Sequence, residues 1–388
     1  MAGQPRFTTA AVPTPAQASL ITRVNKFDVF ERDVVPFLND PSFGALISGK
    51  ESTTINVADT MKKLKTVGPT LGVAFGYSQG FACCTHVVGM LSEHQTLTHD
   101  SQLACTQFLM ASVKALDYHR WALQLTNQGD LQKALKVLVL SGKLAEKMKD
   151  IADNLVVKAE SLVTNGVEAL KSATNDKNLN HDKKVQVELM IAEYTAQEAT
   201  HKKTKEELRK KVQQAKERED AAYNDGATFR LKLQDLELKA NAELARSVSL
   251  LKTCKSEDSV TIDQAVHSLE VAIRALGRVK TVFENTRQFW ISLKDRCDDL
   301  TQMDAAEIAS DKKEGFAEVI ADSFFNWLVF AKINNAAVRA MESVVASVDD
   351  IMSDLPMTPA ETNNRLEDLV KQLTYEVEKD NEALEGQC

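Results

Sequence analysis

The sequence predicts an all-α protein, an elongated bundle of long antiparallel helices with coiled-coil packing. None of the eight prolines lies between residues 70 and 355, where average usage of about 5% would place roughly fourteen. Because a proline inside a helix costs about 3 kcal/mol, so long a run without one indicates long helices. Only 15 glycines and 6% aromatic residues are present, and no segment shows the clear apolar–polar alternation of strands.

The first helices are predicted from start and stop signals near the N-terminus. Thr14 followed by Pro15 is a typical helix start, and apolar residues then recur at helical spacing up to a stop at Pro36. A loop is expected over residues 39–51, and a short amphipathic helix over residues 53–65. These elements form a predicted N-terminal region.

The middle of the chain predicts long helices separated by polar turns. One helix is expected over residues 101–127, ended by Gly129, and Asp130 caps the next, which continues to a turn at residues 174–182. Residues 183–222 are helical but sparsely apolar, and a further apolar stripe follows a break.

The clearest periodicity follows a capping box made by Thr261 and Gln264. Apolar residues repeat there every seven positions over nearly six heptads, which predicts coiled-coil-like packing. One seam position comprises Ile262, Leu269, Leu276, Phe283, Trp290 and Cys297, and the other comprises Ala265, Ala272, Val279, Thr286, Leu293 and Leu300. Asp304 begins a further helix that ends near Met352, and Thr358 precedes a last, acidic helix.

Residues 66–92, called here the glycine-rich segment, do not fit a soluble rod. Apart from His86 they contain no acid or base, and 27 residues are long enough to cross a bilayer as a helix. The candidate residues for membrane insertion and oligomerisation are Gly68, Gly72, Gly76, Gly80, Phe75 and Phe81, since glycines four apart share one helix face. Either the glycines mark a close crossing inside the bundle, or the segment inserts into membranes and is covered in the soluble state. Both a helix and a β-hairpin fit it.

Two further groups of residues each allow a structural and a membrane-related interpretation. The aromatic stripe is either core or an interfacial anchor, and its candidate anchors are Phe324, Phe325, Trp327 and Phe330. The basic cluster is either a solvated helix face or a contact for lipid headgroups, and it comprises Lys202, Lys203, Lys205, Arg209, Lys210 and Lys211.

The sequence contains no complete motif for catalysis or for cofactor binding. Residues 44–50 have the spacing of a phosphate-binding loop, but Glu51 follows where Ser or Thr should bind magnesium. The seven histidines show no ligand spacing, so we expect no metal site, no cofactor and no enzymatic activity.

The net charge and the cysteine pattern restrict which partners and which cellular compartment we expect. The net charge is −8, and residues 349–388 alone hold eleven acids and three bases, which leaves the rest of the chain near neutral and argues against nucleic acid. Six cysteines without regular spacing do not predict a disulfide framework. No apolar leader follows Arg6, so we expect a protein made in the cytoplasm as a soluble chain without a cleavable signal peptide.

The layout of long helices, heptad seam and shielded apolar segment resembles the α-helical pore-forming toxins of the cytolysin A and haemolysin BL type. The resemblance implies a soluble monomer that is released, binds a lipid membrane, extrudes its apolar element and oligomerises with itself or with a related helical subunit. That family commonly carries its apolar head between two central helices, whereas here it lies in the first quarter of the chain. The alternative is a cytosolic coiled-coil scaffold that binds a protein partner. The predicted regions are residues 1–65, 66–92, 93–355 and 356–388.

Overall fold

The computed structural model describes residues 30–39, 57–176, 262–301, 313–355 and 358–385, with a few more between 185 and 196. All of these residues lie in helices or in the turns between them, which confirms the all-α prediction. The helices are α1 (Phe30–Phe37), α2 (Val57–Ser78), α3 (Cys84–Asn127), α4 (Leu131–Thr174), α5 (Ile262–Thr301), α6 (Lys313–Ser353) and α7 (Pro359–Glu385).

The boundary between α3 and α4 confirms the predicted stop and cap. Gly129 has a φ of 86°, a left-handed conformation that favours glycine at a helix C-terminus. The carboxylate of Asp130 then accepts a hydrogen bond of 3.3 Å from the backbone N–H of Lys133, as expected for a residue that caps a helix.

Some boundaries differ from prediction. Helix α1 continues one residue beyond Pro36, and α2 includes Pro69 in its interior. Apolar side chains before and after Pro69, including Leu64 and Leu71, are fully buried, and their packing outweighs the local cost of the proline. Helix α3 begins at Cys84 instead of residue 101, because the glycine-rich segment is itself helical on both sides of a short turn.

Helix α5 is the most buried long helix among the described residues. Both predicted heptad positions are buried wherever their side chains are described, from Ile262 to Cys297. Polar side chains between them are buried as well, and Glu270 forms an ion pair of 3.2 Å with Arg274. The apolar seam was therefore predicted, but the nearly complete burial of the helix was not.

The chain packs as two compact units, each made from three separate stretches. Unit 1 contains Met1–Lys62, Thr98–Val157 and Val282–Val344, and unit 2 contains Lys63–Leu97, Lys158–Thr281 and Val345–Cys388. The four consecutive regions expected from the sequence, residues 1–65, 66–92, 93–355 and 356–388, stay a prediction.

Unit 1 has an aromatic core. The ring of Phe330 stacks on that of Phe289 with centroids 3.7 Å apart, and Trp290 lies edge-on to Phe330 at 4.7 Å. Trp327 and Phe108 lie against the same tryptophan, at 6.0 Å and 5.2 Å. These large rings fill the space between α3, α5 and α6.

Several predictions fall outside the described residues. They are the helix start at Thr14, the loop over residues 39–51 beyond its first residue, most of the sparsely apolar stretch 183–222, and the starts at Thr261 and Asp304.

Candidate functional site

The glycine-rich segment folds as helix, turn and helix within unit 2. It comprises the second half of α2, the turn at residues 79–83 and the beginning of α3. The sequence allowed a helix or a β-hairpin, and the structure has the helical form. Gly80 lies in the turn with a φ of 87°, so α2 has to end before it.

The four glycines therefore do not form one continuous face. Gly68, Gly72 and Gly76 lie one turn apart on α2 and are buried, whereas Gly80 is exposed in the turn. Two of the three expected GxxxG steps are on the helix, and the third ends at the residue that terminates it.

Gly76 marks the closest contact between α2 and α7. A Cβ atom at this position would lie 2.6 Å from Cγ2 and 3.0 Å from Cβ of Thr362, closer than real side chains approach. The next residue reinforces the contact, because the Tyr77 hydroxyl donates a hydrogen bond to the side-chain oxygen of Asn363. Only glycine at position 76 lets α7 come this near.

Gly68 lies against α3 and α6. A Cβ there would be 3.2 Å from Ile351, 3.3 Å from Val348 and 3.5 Å from Nε2 of His94. His94 is fully buried, and burial lowers its pKa from 6.5 to about 4, so its imidazole is neutral at pH 7. A neutral ring packs in this apolar crossing, whereas a protonated one would need a counter-charge.

Hydrogen bonds between polar side chains lie at the border of the uncharged segment. Gln95 donates to Asp349 at 2.9 Å, and Asn165 donates to both carboxylate oxygens of Glu93 at 2.7 and 2.8 Å. The burial of Cys83 raises its pKa to about 11, so its thiol stays neutral at the end of the turn. The α2 arm of the segment, residues 66–78, is thus an apolar element enclosed by α3, α6 and α7 of unit 2.

The two predicted phenylalanines lie near the turn. Phe75 on α2 and Phe81 in the turn are half-buried, while Gln79 and Ala82 beside them are exposed. The turn therefore reaches the protein surface although most of α2 does not.

Among the described residues, no helix is both long enough and apolar enough to cross a membrane. The part of α2 in the glycine-rich segment, residues 66–78, is about 20 Å long, whereas a bilayer core is about 30 Å thick.

The four aromatic candidates for an interfacial anchor are in the core of unit 1. Phe324 and Trp327 are fully buried, and Phe325 and Phe330 are 2% exposed. In this conformation they offer no surface to a membrane, in accordance with the core interpretation of the stripe. Their role as anchors after a rearrangement stays a prediction.

The basic cluster at residues 202–211 lies outside the described residues. Within the part of the chain that is described, no group of three His, Cys, Asp or Glu side chains is placed to bind a metal ion.

Sequence reasoning missed the residues that cover the glycines. Thr362 and Asn363 contact Gly76 and Tyr77, and nothing in their local pattern names those partners. The burial of Thr362, Leu366, Leu369 and Leu373 does follow a helical stripe that can be read from the sequence.

No protein-family model, no curated protein and no solved structure matches this chain. What the glycine-rich segment can do therefore has to be inferred from its own contacts and chemistry.

Proposed function

We propose that the protein is membrane-active and similar in action to a pore-forming toxin: it releases the glycine-rich segment into a lipid bilayer and oligomerises. The observation that carries this proposal is the burial of nearly all of residues 66–78, a stretch of α2 without acids or bases, beneath helices that hold it by non-covalent contacts. Burial keeps this apolar surface out of water, and a bilayer offers it an alternative environment.

The contact between α7 and α2 at Gly76 is close but includes few strong bonds. Thr362 fills the space that a Cβ would take, and the Tyr77–Asn363 hydrogen bond is polar. A net hydrogen bond contributes about 1 kcal/mol to stability, so α7 can be separated from α2 at modest cost once another environment receives the apolar residues. Separation exposes Gly68, Gly72 and Gly76, where the backbone of a second copy could then pack closely.

Insertion requires a rearrangement, since neither arm spans a bilayer in the conformation described. The turn at residues 79–83 is where the change would begin, because much of it is exposed and Gly80, at a φ of 87°, can also take right-handed values as other glycines do. The conformation described above and the proposed membrane-inserted conformation are therefore two packings of the glycine-rich segment.

We also propose that the helices form an elongated antiparallel bundle with coiled-coil packing. In unit 1, Gly142 lies near Cys297, and Asp153 forms an ion pair with Arg287. As residue numbers rise along α4, the residues that they contact on α5 have falling numbers. These contacts support opposite directions for the two helices.

Contacts within unit 2 independently support the same antiparallel arrangement of α4 and α5. Glu160 forms an ion pair of 3.2 Å with Lys280, and a Cβ at Gly166 would lie 2.6 Å from Cγ1 of Ile273. Long helices of 40 to 44 residues, such as α3, α4 and α5, would form the walls of an assembled ring.

Dye release from liposomes tests the proposed function. Purified protein is added to vesicles of zwitterionic or anionic lipid at neutral and mildly acidic pH, and the membranes are then solubilised and examined for oligomers. We expect release at nanomolar protein together with oligomers that survive in detergent. Absence of release under every lipid and pH condition would overturn the proposal.

The second candidate function is a cytosolic scaffold that binds a protein partner through its helices. The close fit of Gly76 to Thr362 favours it, because packing alone gives the glycines a sufficient role. This function predicts a stable dimer or larger species in plain buffer, without dependence on lipid. Sedimentation velocity with and without vesicles separates the two functions.

A further inference from the structure

The two helices that flank the turn between α3 and α4 carry exposed apolar side chains in unit 1. Of the three tryptophans, Trp290 and Trp327 are fully buried, whereas 51% of Trp121 is exposed. On α4, Val139 and Leu140 are 38% and 36% exposed. An exposed apolar patch that is rimmed by polar residues often marks a site of interaction with a protein or a membrane.

Lysines surround the apolar pair on the outward face of α4. Lys136 and Lys143 lie one turn before and one turn after it, and Lys133 and Lys147 extend the same exposed face. From residue 131 to residue 149 there are five lysines and one acid, Glu146, a net of four positive charges. This is opposite in sign to the whole chain.

The acids near this face are engaged by lysines. Asp130 bonds Lys133 at 2.6 Å, and Asp150 bonds Lys149 at 2.9 Å. Glu146 lies close enough to Lys294 to interact with it electrostatically. With Asp130 and Asp150 counted, residues 130–150 keep a net of two positive charges, and Lys136 and Lys143 place theirs beside the apolar pair.

Trp121 and the apolar pair lie at the same end of the α3–α4 hairpin. Trp121 is six residues before the end of α3, and Val139 is eight residues after the start of α4, which places each about 9–12 Å from the three-residue turn. The Ser141 hydroxyl lies 3.4 Å from Nδ1 of the buried His119, so the two helices are packed together at this level.

We propose that this surface, defined by Trp121, Val139, Leu140 and the four exposed lysines, docks the protein on an anionic lipid surface. Tryptophan prefers the membrane–water interface, where its ring is apolar and its N–H remains solvated. Lysines extend their stems and place their charges at anionic headgroups. A second copy of this surface fits less well, because pairing would bring like charges together.

The inference rests on the proposed membrane function for its setting, but binding can be measured apart from permeabilisation. Full-length protein is mixed with phosphatidylcholine vesicles with or without 30 mol% phosphatidylserine, and tryptophan emission is recorded. Because Trp290 and Trp327 are buried, a blue shift and protection from acrylamide report on Trp121. We expect both with anionic vesicles only, and weakening as salt is raised.

Two variants and a control make the test specific. Trp121→Phe should lose the spectral change while still sedimenting with anionic vesicles. Lys136→Glu with Lys143→Glu should weaken vesicle binding about tenfold or more. Lys171→Glu with Lys371→Glu changes the net charge equally at exposed positions far along the chain from this surface, and should bind nearly as well as the parent protein.

The other outcomes separate this inference from the proposed function. Dye release without any change in Trp121 emission would overturn the docking surface and leave the proposed function standing. Binding and a blue shift without release would support the docking surface and count against pore formation. A blue shift that grows with protein concentration in the absence of vesicles would assign the surface to a second copy and overturn the inference.

Discussion

At Gly76, a single methyl group decides how near α7 can approach α2. Gly76→Ala would place a Cβ 2.6 Å from Cγ2 of Thr362, so the two helices would have to separate. We expect a loss of about 1–3 kcal/mol in the free energy of unfolding, partly offset by up to about 1 kcal/mol from the better helix propensity of alanine. Urea denaturation measures the difference.

Gly89 on α3 is the matched control, because no atom lies within 4 Å of a Cβ built there. Gly89→Ala should therefore stabilise the protein, by up to about 1 kcal/mol. Thr362→Ala should recover part of the loss in Gly76→Ala, since it removes the clashing Cγ2 atom. Equal effects of alanine at both glycines would contradict the close contact at Gly76.

The buried histidines make stability depend on pH. Burial lowers the pKa of His94 and of His119 from 6.5 to about 4, and a backbone hydrogen bond to Ala115 only partly opposes this for His119. Below pH 6.5 the unfolded chain binds protons that the folded protein excludes, so the unfolding free energy falls as the pH falls from about 6.5 to about 4. The loss is up to about 3 kcal/mol for each histidine.

Denaturation midpoints at pH 7, 6 and 5 check this dependence. Nε2 of His94 lies 3.5 Å from the position of a Cβ at Gly68, in the buried crossing of α2, α3 and α6. His94→Gln and His119→Gln should each flatten the pH profile. Identical profiles in the parent protein and in both variants would refute the assignment.

At the scale of the element, the first turn of α7 is held by a reciprocal cap. The backbone N–H of Thr358 donates to the Glu361 carboxylate at 2.7 Å, and the backbone N–H of Glu361 donates to the Thr358 hydroxyl at 3.3 Å. Thr358→Ala removes one of these partners and should destabilise α7 by about 1 kcal/mol. Because α7 covers Gly76, the loss should appear in the amide exchange of both α7 and α2.

Ser343→Ala is the control for this prediction, since Ser343 is an exposed residue inside α6 whose hydroxyl bonds only its own helix. We expect a change within about 0.5 kcal/mol and no effect on exchange in α2. Faster exchange in α7 alone after Thr358→Ala would show that the two helices open independently.

The elements whose ends carry strong local signals were predicted well. Gly129 with Asp130 separates α3 from α4, and Thr358 with Pro359 begins α7, as the sequence indicated. These positions are set by backbone conformation and capping, which depend on a few neighbouring residues. The helical start of α3 at Cys84 was not expected, since Gly80 and Gly89 weaken the local helix signal. Tertiary packing determines where this helix begins.

The aromatic stripe shows where pattern alone is insufficient. An apolar helix face such as Phe324 with Trp327 looks the same whether it meets other helices or a membrane. Its burial against Trp290 and Phe289 depends on which distant helix packs there. For the same reason the exposure of Trp121 could not be predicted, because its helix is apolar on several sides.

At the scale of the whole molecule, opposite charges are placed on different parts of the chain. Residues 349–388 have a net charge of −8, while the outward face of α4 near Val139 is positive. An anionic membrane would therefore attract the surface around Trp121 and repel α7, the helix that covers Gly76. Under the proposed function, repulsion of α7 would favour release of the glycine-rich segment at an anionic membrane over release in water.

A reversible disulfide between α2 and α7 tests the central claim most directly. In Gly76→Cys with Thr362→Cys the two Cβ atoms would be 3.0 Å apart, within about half an ångström of the range found in disulfides. Dye release from anionic vesicles is measured after oxidation and again after reduction. The single variants and the parent protein, treated in the same way, control for the native cysteines. We expect the oxidised double variant to be inactive and reduction to restore release. Equal release before and after reduction would show that the glycine-rich segment need not leave α7, and would contradict the account.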